Sequence, residues 1–125
     1  MVSHYLKATN FGFAIPTGVT IKGIKVEIER KKAVGFGHSV KDSSVYIVKG
    51  GVIQTTQNKA DTVTEWTTTD TYITYGSLTD LWGISWTAED INDIGFGVVI
   101  SVSLSAKTVS QTAYIDHIRI TADYT

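Results

Sequence analysis

Two stretches near the C-terminus decide the fold: Phe96-Gly-Val-Val-Ile-Ser-Val-Ser-Leu104 and Tyr114-Ile-Asp-His-Ile-Arg-Ile-Thr-Ala-Asp-Tyr124. In the first, Phe96, Val98, Ile100, Val102 and Leu104 share one parity, the period of two that a half-buried strand imposes. Both read as long β-strands, joined by a polar, Ser/Thr-rich turn. The rest of the chain has the same character. It holds one proline, eleven glycines, eighteen threonines and many Val, Ile and Tyr, residues that suit a pleated, half-buried surface.

Upstream, Tyr5 to Ile15 reads as a strand closed by the turn Pro16-Thr17-Gly18, in which Pro presets φ and Gly supplies the permissive position. Val19 to Lys31 is the longest strand. Val19 and Ile21 lie on one parity and Ile24, Val26 and Ile28 on the other, so a bulge near Lys22-Gly23 is expected to keep both sets facing the core. Ala33 to Ser39, with Gly35 and Gly37, reads as a loop. Ser43 to Lys49, Gly50-Gly51 and Val52 to Thr55 read as a hairpin. Gln57 to Asp61 is a polar loop, and Val63 to Thr69 and Thr71 to Tyr75 are Thr-rich segments of high β-propensity with one wet face. Thr87 as N-cap with Asp90 three residues on predicts one short helical turn over Thr87–Asn92. The expectation is an all-β single domain over residues 1–125. It is a two-sheet antiparallel sandwich, jelly-roll-like, of about eight strands.

At 125 residues the chain can bury a core without staples, and with no cysteine it has no disulfide, thiolate or Cys-ligated zinc chemistry. A formal net charge of −1 argues against a general nucleic-acid or anionic-membrane surface. The basic cluster Arg30-Lys31-Lys32 reads as a solvated strand end. No apolar run approaches the roughly 20 residues that span a bilayer, and Met-Val-Ser-His at the start lacks a signal peptide's apolar core.

Chemistry is sparse. His4, His38 and His117 have no metal-ligand spacing, and no cofactor is expected. Asp116-His117, beside Ser101, Ser103 and Ser105, holds the ingredients of nucleophilic catalysis. Neighbours on a strand point to opposite faces, however, so Asp116 is not expected to orient His117, and no enzyme is expected. Glu89, Asp90 and Asp93 read as capping residues, and Asp42-Ser43-Ser44 as a turn. Gly35-Phe-Gly37 and Gly95-Phe-Gly97 lack the rest of a dinucleotide fingerprint and read as loops or as strand positions where backbone packs closely.

The aromatics are more informative. Trp82 and Trp86 flank Ile84 at strand spacing beside Leu81 and Ile91, which reads as core. Trp66, isolated among threonines, reads as an exposed contact. With Tyr72 and Tyr75 it forms the candidate surface, either an interface or a stacking platform for a glycan.

The ordered series Tyr5-Leu-Lys-Ala-Thr-Asn-Phe-Gly-Phe-Ala-Ile-Pro16, Val19-Thr-Ile-Lys-Gly-Ile-Lys-Val26, Leu81-Trp-Gly-Ile-Ser-Trp-Thr-Ala-Glu-Asp-Ile-Asn92, Phe96-Gly-Val98 and Ile115-Asp-His-Ile-Arg-Ile120 resembles a β-sandwich family of tailed-bacteriophage structural proteins. The resemblance spans nearly the whole chain, although less chain precedes the Tyr5 strand here than in that family. It implies a non-enzymatic virion structural protein, a capsid decoration or head or tail fibre component. Such a protein is made in the host cytoplasm, displayed on the virion surface and assembled as a homo-oligomer, a trimer by preference, with other virion proteins as partners. From the charge and hydropathy above, no nucleic-acid or membrane partner is expected. The alternative is a carbohydrate-binding sandwich that uses Trp66, Tyr72 and Tyr75.

Overall fold

In the computed structural model, residues 1–34, 39–105 and 112–125 are described. They form β1 (Leu6–Thr9), β2 (Ile21–Lys32), β3 (Val40–Lys49), β4 (Val52–Gln54), β5 (Thr71–Ser77), α1 (Ala88–Asn92), β6 (Gly97–Leu104) and β7 (Ala113–Tyr124). A four-stranded sheet in the order β1-β6-β3-β4 faces a three-stranded sheet in the order β5-β2-β7. Every pairing is antiparallel. The chain is the expected all-β sandwich, with seven strands among the described residues. It changes sheet at every connection except the β3–β4 hairpin, the interleaved path of a jelly-roll-like chain.

The core is built from the parities the strands dictate. Ile24, Val26 and Ile28 of β2 are buried against Val40, Val45 and Ile47 of β3 and Val98, Ile100 and Val102 of β6. The expected bulge in β2 is present, since its register against β7 slips between Ile21 and Gly23. Gly23 is required there because a Cβ would lie 2.2 Å from the carbonyl carbon of Leu78. The Gly50-Gly51 hairpin also forms, both glycines taking positive φ. So does the capping box, in which Thr87 Oγ1 accepts the Asp90 N–H while the Asp90 carboxylate accepts the Thr87 N–H. At Gly97 a Cβ would fall 1.8 Å from the Ala8 carbonyl oxygen, so close backbone packing explains the Gly95-Phe-Gly97 pair on the β1 side.

Three segments depart from the strand reading. The Tyr5–Ile15 strand stops at Thr9, because Asn10 (φ 62°) and Gly12 (φ 77°) turn the chain. Ile15 is then held by Asn92, whose side chain accepts its N–H at 2.8 Å and donates to its carbonyl at 2.9 Å. Val63–Thr69 is irregular: Asp61 Oδ1 accepts the N–H groups of Val63 and Thr64, an Asx turn that diverts the backbone from any ladder. Leu81–Trp86 is a run of turns with Trp82 at φ 59°. Trp82 and Trp86 are buried as expected, but by loop geometry. Of the loop expected over Ala33–Ser39, residues 35–38 lie outside the described residues, as do 106–111 of the turn before β7.

Candidate functional site

The three aromatics expected to share an exposed surface are divided between the interior and the outer face. Trp66 is 2% exposed and Tyr75 3%, so neither is the surface contact the sequence led us to expect. Both point at one carboxylate. Trp66 Nε1–H donates to Asp42 Oδ1 at 2.8 Å, and the Tyr75 hydroxyl donates to Asp42 Oδ2 at 2.7 Å. Asp42 also accepts the Asp61 N–H at 3.1 Å, and Arg30 Nη1 stands 3.6 Å from Oδ1 with its guanidinium 4.7 Å from the centre of the Trp66 ring. A buried carboxylate is tolerable only when hydrogen-bonded and countered by charge, and these four groups meet both requirements. Burial, together with the adjacent Asp42 carboxylate, holds the Tyr75 hydroxyl protonated far above the usual phenol range.

Two expectations are corrected by this cluster. Asp42 belongs to no turn; it is buried in β3 at a register slip against β6 between Asp42 and Ser44. Arg30 is no solvated strand end, being 4% exposed. Its inward aim follows from the parity of Ile24, Val26 and Ile28, which runs on to residue 30. Among the described residues its Nε and Nη1 make no hydrogen bond, so the Trp66 face and the Asp42 charge carry its compensation.

Tyr72 does reach the outer face of the three-stranded sheet. There it lies under Arg119, whose guanidinium is 4.0 Å from the ring centre. Arg119 in turn grips Glu27 with both arms, Nε to Oε1 at 3.2 Å and Nη2 to Oε2 at 3.0 Å. The Arg119 hydrogen bond holds the Glu27 carboxyl below the usual glutamate range, and the Arg119 guanidinium is raised in return. Two residues away along the strand, His117 Nδ1 stands 3.3 Å from Glu29 Oε1 and 3.7 Å from Asp116 Oδ2.

That last geometry overturns the expectation that Asp116 and His117 diverge. The β2–β7 ladder pairs Glu29 with His117 and then Arg30 with Ile115, leaving Asp116 as the extra residue of a β-bulge. The bulge puts both side chains on the outer face beside Glu29. The Asp116 carboxyl, with some burial, raises the Glu29 carboxyl above its usual range while His117 pulls it back. Ser101 and Ser103 lie on β6 in the opposite sheet, and the Ser105 hydroxyl accepts the Ser39 N–H at 2.7 Å, so these serines are placed away from the pair. Asp90 and Asp93 sit as expected: Asp90 completes the capping box and Asp93 accepts the Gly95 N–H.

The other surface of note is the side of the sandwich where edge strands β1 and β7 leave the two sheets apart. A groove of about 430 Å³ opens there, lined by Leu6, Ile100, Val102, Leu104, Ala113 and Ile115 with Ser3, His4 and Thr112. Val2, Tyr5 and Leu6, on the N-terminal segment that runs along β6, are exposed. Among the described residues no helix is long and apolar enough to cross a membrane. No protein-family model, curated protein or solved structure matches this chain.

Proposed function

We propose that the chain is a non-enzymatic structural protein of a tailed-phage virion, a capsid decoration or head or tail fibre component that acts by self-association and lattice contacts at the particle surface. The observation that carries this reading is the apolar groove between β1 and β7. Strand β7 offers a 12-residue sheet edge, and on the other side of the groove the N-terminal segment exposes Val2, Tyr5 and Leu6. A long unpaired edge beside apolar surface is a template for β-augmentation by another chain. A net charge of −1 puts little repulsion in the way of identical copies. Closure about a symmetry axis, with a trimer preferred, limits such pairing to a finite ring.

The carbohydrate-binding alternative is weakened, because Trp66 and Tyr75 are buried and Tyr72 is covered by Arg119. The test is co-sedimentation of the purified protein with empty capsids encoded by the same genome, run beside a glycan array. Particle binding without glycan binding supports the structural role. Glycan binding by a protein that ignores the particles replaces it with the alternative.

A further inference from the structure

We infer that Glu29, Asp116 and His117 form a divalent transition-metal site, of the kind that takes Zn²⁺, on the outer face of the three-stranded sheet. One ligand atom from each residue lies within 4.8 Å of the other two. Donors bound about 2.0–2.2 Å from a tetrahedral ion stand about 3.4 Å apart. His117 Nδ1 is already 3.3 Å from Glu29 Oε1 and 3.7 Å from Asp116 Oδ2, so an ion can be seated by side-chain adjustment alone.

The backbone supplies this arrangement. Glu29 and His117 are direct cross-strand partners, and the bulge delivers Asp116 to the same face, so the ligands come from two hydrogen-bonded strands and need no loop to order. The donor set has a chemical preference. One imidazole with two carboxylates suits a borderline ion such as Zn²⁺, whereas Mg²⁺ and Ca²⁺ favour all-oxygen sites. Two carboxylates converge on the His117 ring, and the cations around them are engaged elsewhere. Arg119 is held by Glu27, and Lys31 pairs with Asp70 at 3.7 Å. A third cation on the face, Lys25, stands 3.8 Å from Glu27.

His117 is 67% exposed along its side chain, so the ion's remaining position opens outward to water or to a group from a neighbouring molecule. Three protein ligands with one open position make a site that binds without closing. The inference does not depend on the virion reading, since it rests on this triad alone.

The test is isothermal titration of the full chain with ZnCl₂ at pH 7.5, with Mg²⁺ titrated in parallel. We expect saturable binding of one Zn²⁺ per chain, no comparable Mg²⁺ binding, and at least tenfold weaker Zn²⁺ binding in both His117→Ala and Glu29→Gln. His4→Ala should bind as the parent does. Circular dichroism of each variant establishes that its fold is kept, which the exposure of these side chains leads us to expect. Should a variant fail to fold, Zn²⁺-induced shifts of the His117 ring resonances in the parent protein decide the matter. Absence of saturable binding, binding undiminished in His117→Ala, or shifts confined to other histidines overturns the site.

Discussion

The indole N–H of Trp66 donates a 2.8 Å hydrogen bond to Oδ1 of Asp42, tying an irregular threonine-rich segment to the start of β3. Tyr75 from β5 and Arg30 from β2 meet the same carboxylate, so one buried charge joins the two sheets. Taking one partner from a buried charged cluster leaves the others uncompensated, which costs about 3–5 kcal/mol. Asp42→Ala is therefore expected to lose stability on that scale in urea unfolding. Tyr75→Phe should lose about 1.5–3 kcal/mol as one hydrogen bond to a charged group disappears. In a double-mutant cycle Asp42→Ala and Tyr75→Phe should be strongly non-additive. Additive losses would mean that the cluster does not act as a unit.

All three tryptophans are buried, and Trp86 packs edge-on against Phe96 with ring centres 5.4 Å apart. Their fluorescence should be blue-shifted and poorly quenched by iodide. Trp86→Ala should cost about 3–5 kcal/mol, the usual loss for a large aromatic removed from a core. Full quenching of the native protein would contradict this packing.

At Gly97 the space for a side chain is taken by the Ala8 carbonyl. Gly97→Ala must push β1 from β6, and about 1–3 kcal/mol is the expected cost of such overpacking. Hydrogen exchange locates the damage: amides of Leu6 and Ala8, which face Ile100 and Val98 of β6, should lose protection before those of β3. Uniform loss across the molecule would count against a local clash.

Asp80 supplies a pH dependence. Partial burial works against its charge, but the Lys59 ammonium at 2.7 Å and the Trp82 N–H at 2.8 Å outweigh that burial and hold its carboxyl below the usual aspartate range. A folded-state pKa below the unfolded one stabilises the fold above the unfolded value of about 4, and this contribution disappears as the pH falls through the folded value. Thermal melts should show a Tm that drops below about pH 4, with a shallower drop in Asp80→Asn. Parallel profiles for the two proteins would remove Asp80 from the acid transition.

Much of the scaffold was legible because it is written locally. The parity of Ile24, Val26 and Ile28, the bulge at Gly23, the glycine hairpin and the Thr87 capping box each depend on residues within a few positions of one another. Arg30 was legible in principle, as the next residue of that inward parity. Trp66 was not. Its burial depends on Asp42, 24 positions earlier, and a threonine-rich setting gives no sign of a buried acceptor. The juxtaposition of Asp116 and His117 was hidden for a related reason: a bulge in mid-strand is set by pairing with β2, and strict alternation predicts the opposite geometry.

The proposed role turns on whether copies of this chain associate through the open side of the sandwich, and sedimentation velocity at micromolar concentration measures that directly. The parent protein should form a discrete closed oligomer, with a trimer preferred. Leu6→Lys, which places a charge at the exposed rim of the groove between β1 and β7, should sediment as a folded monomer. A parent protein that remains monomeric, or an oligomer that Leu6→Lys leaves intact, would contradict assembly through this side.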